Sequence, residues 1–137
     1  MTGKVVQDGD TWVWRIPDRG DVLLRHNEWG KTPASQDMPR LAAPLAQLDQ
    51  LVATARDAIT TKYHALWQDS WRQPGDADLT REEFAQAVTL MSVSYPSGQY
   101  LHNAFDMSFD DAGLFSGHAF FVSFKMDGTL QSVEMFG

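Results

Sequence analysis

Apolar positions change period twice along this chain, and the changes divide it into three parts. Residues 4–7 and 11–16 are short runs separated by Asp8-Gly9-Asp10, whose glycine is free to take a positive φ. In the second run Trp12, Trp14 and Ile16 alternate with Val13 and Arg15, the period of two that sends successive side chains to opposite faces of a strand. Pro17-Asp18-Arg19-Gly20-Asp21 is a second turn cluster, and residues 22–26 supply a third strand, so the N-terminal third is expected to be a three-stranded meander. Residues 28–40, with Gly30, Pro33 and Pro39, show no useful period and read as a surface loop.

From Leu41 the period lengthens. Leu41, Leu45, Leu48, Val52, Ala55, Ile59, Tyr63 and Leu66 recur at steps of three and four, the apolar stripe of an amphipathic helix of about seven turns. Pro44 is tolerable only near its start, and the β-branched run Ile59-Thr60-Thr61 is where it would kink into two. Trp67 and Trp71, four apart, fall on one face and are expected to cap the core. Pro74-Gly75 ends the segment. Thr80-Arg81-Glu82-Glu83 is a capping box: the threonine hydroxyl accepts from the Glu83 N–H while the Glu83 carboxylate reaches back. It should open a short helix through Val88 with Phe84, Ala87 and Val88 facing inward.

The last third alternates again. Residues 90–95 end at Pro96-Ser97-Gly98, residues 100–107 follow, and a polar break over 108–113 precedes residues 118–124. Asp127-Gly128 then turns the chain into residues 130–136. Phe120, Val122 and Phe124 share one face of the penultimate strand; Phe121 and Ser123 share the other. The order of elements predicts one α+β domain over residues 1–137: an antiparallel sheet, made of the N-terminal meander and C-terminal hairpins, with two or three helices packed on one face.

Composition agrees with a packed globule. At 137 residues, 43% apolar and 12% aromatic, the chain is long enough to bury roughly two-thirds of its unfolded surface. It has no cysteine, which excludes disulfides and thiolate metal sites and suits a reducing cytoplasm. No hydrophobic signal region opens it, and no apolar run approaches the ~20 residues of a membrane span, so a cytoplasmic protein is expected.

Charge changes the picture more. Residues 1–72 hold nine acidic and nine basic residues, whereas residues 73–137 hold nine acidic residues against Arg81 and Lys125 alone, so the whole net charge of −7 belongs to the second part. Between Arg81 and Lys125 there is no Lys or Arg at all. A segregated negative field steers cationic partners and repels nucleic acid and membranes. The five tryptophans lack the interleaved Lys and Arg that a nucleic-acid stacking platform needs.

No phosphate loop, nucleophile elbow, zinc-protease motif or dinucleotide fingerprint is present, and no catalytic residue or cofactor is implied. The best metal-like grouping is Asp106, Asp110, Asp111 and His118, joined by His102 if the loop folds back, which keeps a small metal-dependent hydrolase open as an alternative. Aspartates around a Ser/Gly turn are more often turn formers bonded to their own backbone, and this stretch lacks the calcium-loop pattern. His26 and His64 have no orienting carboxylate nearby in sequence, and His118 reads as a strand-entry residue bonded to a carbonyl. A third possibility is a structural domain that self-associates through its aromatic surface.

The stretch Gly117-His118-Ala119-Phe120-Phe121-Val122-Ser123-Phe124, then Asp127-Gly128 and a final strand closing on Gly137, resembles the ending of small α+β domains found among immunity proteins of bacterial polymorphic toxin and contact-dependent inhibition systems. The helix start at Thr80 and the earlier helix near Tyr63 fit the same pattern, which covers roughly residues 60–137. The resemblance implies a dedicated inhibitor, monomeric or weakly dimeric, that binds a cognate toxin domain. A basic, nuclease-like toxin matches the acidic half of the chain. The expected contact is an acidic edge of Asp106, Asp110 and Asp111, joined by Asp76, Asp78 and Glu82, with Trp29 as an exposed apolar anchor.

Overall fold

A computed structural model describes residues 3–17, 20–27 and 33–137. Seven strands form one sheet in chain order: β1 Lys4–Asp8, β2 Thr11–Ile16, β3 Gly20–His26, β4 Thr89–Tyr95, β5 Ala104–Asp110, β6 Ala119–Lys125 and β7 Leu130–Phe136. Every neighbouring pair is antiparallel except β3 and β4, which run parallel with Leu24 beside Val93. A parallel pair cannot be joined by a tight turn, and among the described residues all the helices sit in the crossover between these two strands. The α+β class read from the sequence is the one found, with the sheet mixed at one seam.

That crossover opens with short helical turns, α1 Ala34–Asp37, a 3₁₀ turn Met38–Leu41 and α2 Ala42–Leu45. The surface loop expected over residues 28–40 is therefore helical from Ala34. Pro33 precedes the first turn and Pro39 stands at the start of the second, where no N–H is missed. The long helix α3 runs Leu48–Leu66 without a break at Ile59-Thr60-Thr61: Ile59 and Thr60 are buried against the core, and the Thr60 hydroxyl donates back to the Arg56 carbonyl at 2.7 Å. The break comes instead at Ala46-Gln47, and the stripe continues across it to Tyr63 before its end changes phase. Leu48, Leu51, Ala55, Ile59 and Tyr63 are buried, whereas Leu66 is exposed and Trp67 takes its place in the core.

The chain then leaves α3 through a π turn, Trp67–Trp71, closed by Arg72 N–H to the Trp67 carbonyl at 2.7 Å. Trp67 packs toward Phe84, and the half-buried Trp71 ring meets Phe115 and His118. The helix α4, Arg81–Ala87, begins at the expected capping box. The Glu83 N–H donates to the Thr80 hydroxyl at 3.1 Å, and the Thr80 N–H donates to the Glu83 carboxylate at 2.9 Å.

All the helical core residues pack on one face of the sheet, against Trp14, Leu24, Tyr95, Phe105, Phe109, Phe120, Val122 and Phe124 among others. β5 starts later and runs further than expected, through Ser108 and Asp110, because Phe105, Met107 and Phe109 alternate inward while Asp106 and Ser108 point to the other face. None of the side chains on that other face belongs to the helix-packed core. Among the described residues no helix is long and apolar enough to cross a membrane.

Candidate functional site

The second face of the sheet is polar at its centre and has a fixed register. One row runs Arg25, Ser94, Asp106, Ser123, Ser132 across β3 to β7; the next runs Ser92, Ser108, Phe121, Glu134. Small side chains at the centre and larger ones around them make a depression. The turn between β4 and β5 folds over one side of it. In that turn the Ser97 hydroxyl accepts from the Gln99 and Tyr100 N–H groups, both at 3.2 Å. It donates in turn to Asp106 Oδ1 at 2.7 Å.

Asp106 therefore anchors the turn. It is 8% exposed. Its Oδ1 also accepts from the Ser123 hydroxyl at 2.5 Å, and its Oδ2 accepts from the Gly98 N–H at 2.9 Å. Beside it Ser92 and Ser108 share a hydrogen bond of 2.6 Å. The result is a cavity of about 660 Å³ lined by Asn27, Ser94, Gly98, Gln99, Asp106, Phe121, Ser123, Glu134 and Phe136. The Phe121 and Phe136 rings lie edge to face, 5.2 Å between centroids, and are 36% and 55% exposed. Two carboxylates, several hydroxyls and amides, and a pair of open phenyl rings thus meet in one concavity, with no Lys or Arg among its described lining residues.

Asp111 does something different. It is 1% exposed, and its carboxylate collects four backbone N–H groups: Gly113 at 2.9 Å, Phe115 at 3.1 Å, Gly117 at 3.0 Å and His118 at 2.9 Å. The loop between β5 and β6 is wound around this one side chain, with Ala112 and Ser116 held at positive φ (54° and 61°).

A family model described as an uncharacterized protein conserved in bacteria, DUF2262, matches residues 19–135. The chain belongs to that family. No curated protein and no solved structure matches it. The match spans β3 to β7 almost entirely, so both the Asp106 cavity and the Asp111 loop lie inside the DUF2262 region.

The single acidic edge expected from the sequence is not formed. Asp106 and Asp111 are buried and engaged by their own chain, for the reasons of register and loop winding just given. Asp110 is exposed at the end of β5 and accepts from the Ala112 N–H at 3.1 Å. Asp76 is exposed and shares a groove with Ala112 and Gly113, so these two carboxylates do lie at one end of the molecule. Asp78 is taken up by Gln68 at 2.5 Å and by Arg72 at 3.2 Å; the Gln68 hydrogen bond, followed by the Arg72 charge, holds its carboxyl below the usual range. Glu82 lines a separate groove between α3 and α4, together with Arg56 and Arg81. Trp29 lies outside the described residues.

The metal-like grouping also separates. Among the described residues no three His, Asp or Glu side chains are placed to hold one ion. His118 meets Asp111 through its backbone N–H, and its ring Nδ1 contacts the Phe115 carbonyl. His102 sits by the Tyr95 hydroxyl at 3.3 Å, and His64 by the Leu79 carbonyl at 2.7 Å. His26, which showed no carboxylate near it in sequence, has Asp37 at 3.0 Å in space, fully buried.

Of the cavity lining only Asp106 was a candidate in the sequence; the rest, among them Ser94, Phe121, Ser123, Glu134 and Phe136, were missed, as was Ser97, which ties the turn to Asp106. The signal that could have found them is the outward member of each alternating run: hydroxyls and carboxylates opposite an unbroken apolar face.

Proposed function

We propose that this chain is a non-catalytic inhibitor, an immunity protein that binds and neutralises a cognate, basic, nuclease-like bacterial toxin domain. It acts from the cytoplasm as a monomer or weak homodimer, without metal or cofactor. The observation that carries this reading is the sheet face away from the helices, where a concavity holds Asp106, Glu134 and two open phenyl rings and no cation among its described lining residues. Such a surface is shaped for protein contact: aromatic anchors for affinity, and carboxylates to select a positive partner. The segregation of all seven net negative charges into residues 73–137 supports it, as does the resemblance of the C-terminal hairpin to immunity domains.

The test is titration calorimetry of the chain against the polypeptide encoded immediately upstream of it, at 50 and 300 mM salt. One-to-one binding that weakens with salt, together with loss of the toxin's activity in the mixture, is the expected result. A polypeptide that neither binds nor loses activity overturns the reading.

A further inference from the structure

We infer that the Asp106 cavity is a guanidinium pocket that takes one arginine side chain of the basic partner. This rests on the inhibitor reading above and names the residue class that enters the site.

A carboxylate offers about four lone-pair directions. Three at Asp106 are filled by Ser97, Ser123 and Gly98, two on Oδ1 and one on Oδ2. The three donors are all neutral, so the negative charge is held rigidly but not cancelled, and Oδ2 keeps room for a further donor. Glu134 lines the other side. Its nearest cation is Lys62, 3.7 Å away with both side chains about half exposed, and Lys62 also donates to the Val133 carbonyl at 2.7 Å. A long, solvated pair of that kind leaves Glu134 available to a better-placed charge.

The choice of arginine over lysine follows from the rest of the lining. Guanidinium is planar, stacks on aromatic faces and carries five N–H donors, whereas an ammonium is a compact, strongly hydrated point charge. Phe121 and Phe136 supply the open rings. Asn27, Ser94 and Gln99 supply acceptors beside the carboxylates. A pocket of about 660 Å³ accommodates the side chain and part of the segment carrying it.

The test uses the full chain and N-acetyl-L-arginine methylamide as probe, followed by amide NMR. The expected result is saturable shifts of Gly98, Gln99 and Ser123, weaker ones with the lysine analogue and none with the neutral citrulline analogue. Phe136→Ala and Glu134→Gln should each weaken probe binding by about three- to fivefold. Both positions are on the exposed rim, so the variants keep the fold; Asp106→Asn should abolish binding but is read only where urea unfolding shows the turn intact. Equal shifts with citrulline, or shifts confined to another part of the molecule, overturn the pocket. Probe binding here with no binding of the upstream-encoded polypeptide retains the pocket and removes the inhibitor reading. Polypeptide binding with no response at these amides does the reverse.

Discussion

Asp111 shows how one side chain can specify a loop. Four backbone donors converge on a carboxylate that is 1% exposed, and the chain accepts two non-glycine residues at positive φ to bring them there. Removing the acceptor leaves buried N–H groups unpaired, at about 1–3 kcal/mol for each that stays dry. Asp111→Ala should therefore cost about 3 kcal/mol or more in urea unfolding. Asp111→Asn should cost about 1–2 kcal/mol, because an amide oxygen can still serve the three donors on Oδ2. Equal losses for the two variants would show that the loop does not depend on the acceptor. The same geometry predicts a gain: at Ala112, φ 54°, glycine relieves the left-handed strain and should stabilise by about 0.5–1 kcal/mol after its own entropy cost. Aspartate as turn former was legible in the sequence. Which of Asp106, Asp110 and Asp111 would be buried was not, because it depends on the register of β5 and on serines remote in the chain.

At the scale of elements, local chemistry read well and tertiary seams did not. The capping box at Thr80 is complete, so Thr80→Ala should lower stability by about 1 kcal/mol, visible as a lower urea midpoint with unchanged m-value. The Asp127-Gly128 turn joins β6 to β7 as its residue types require, with Gly128 at φ 91°. Asp127 accepts from the Thr129 N–H at 2.9 Å, and hydrogen bonding from the Thr129 side chain and then its backbone lowers the carboxyl below its ordinary value of 3.8. A carboxyl whose folded pKa is depressed stabilises above the unfolded value, and that contribution disappears as pH falls through the folded one. Asp127→Asn should consequently be less stable than the parent at pH 7, and the gap should close below about pH 3.8. A gap independent of pH would mean that the amide fails for a reason other than charge. By contrast, the helical turns at 34–41 were hidden by prolines that happen to sit at permitted starting positions. The apolar stripe read correctly from Leu41 to Tyr63, but its end did not, since Trp67 rather than Leu66 turns into the core, and the break at Ala46-Gln47 has no strong sequence mark. The contact of His26 with Asp37, eleven residues apart, is made by the crossover itself.

The whole molecule divides its charge by element. The acidic residues of the second half are not one patch: Asp106 and Glu134 face the cavity, while Asp76 and Asp110 lie at the end of the sheet where the β5–β6 loop meets the segment before α4. These two sets should act differently on a basic partner. Exposed charges away from the contact accelerate encounter, through a field that salt screens over about 8–10 Å. Carboxylates inside the contact act on dissociation. The triple variant Asp76→Asn, Asp110→Asn, Glu82→Gln takes the net charge from −7 to −4 without touching a buried group. It should slow association with the basic partner by roughly tenfold at low salt, flatten the salt dependence and leave the dissociation rate nearly unchanged. Glu134→Gln should leave association almost as fast and raise dissociation. Stopped-flow association and dissociation rates at several ionic strengths separate the two. If the triple variant raises dissociation instead, the contact includes the Asp76–Asp110 end or the Glu82 groove, and the open face of the sheet is not where the partner sits.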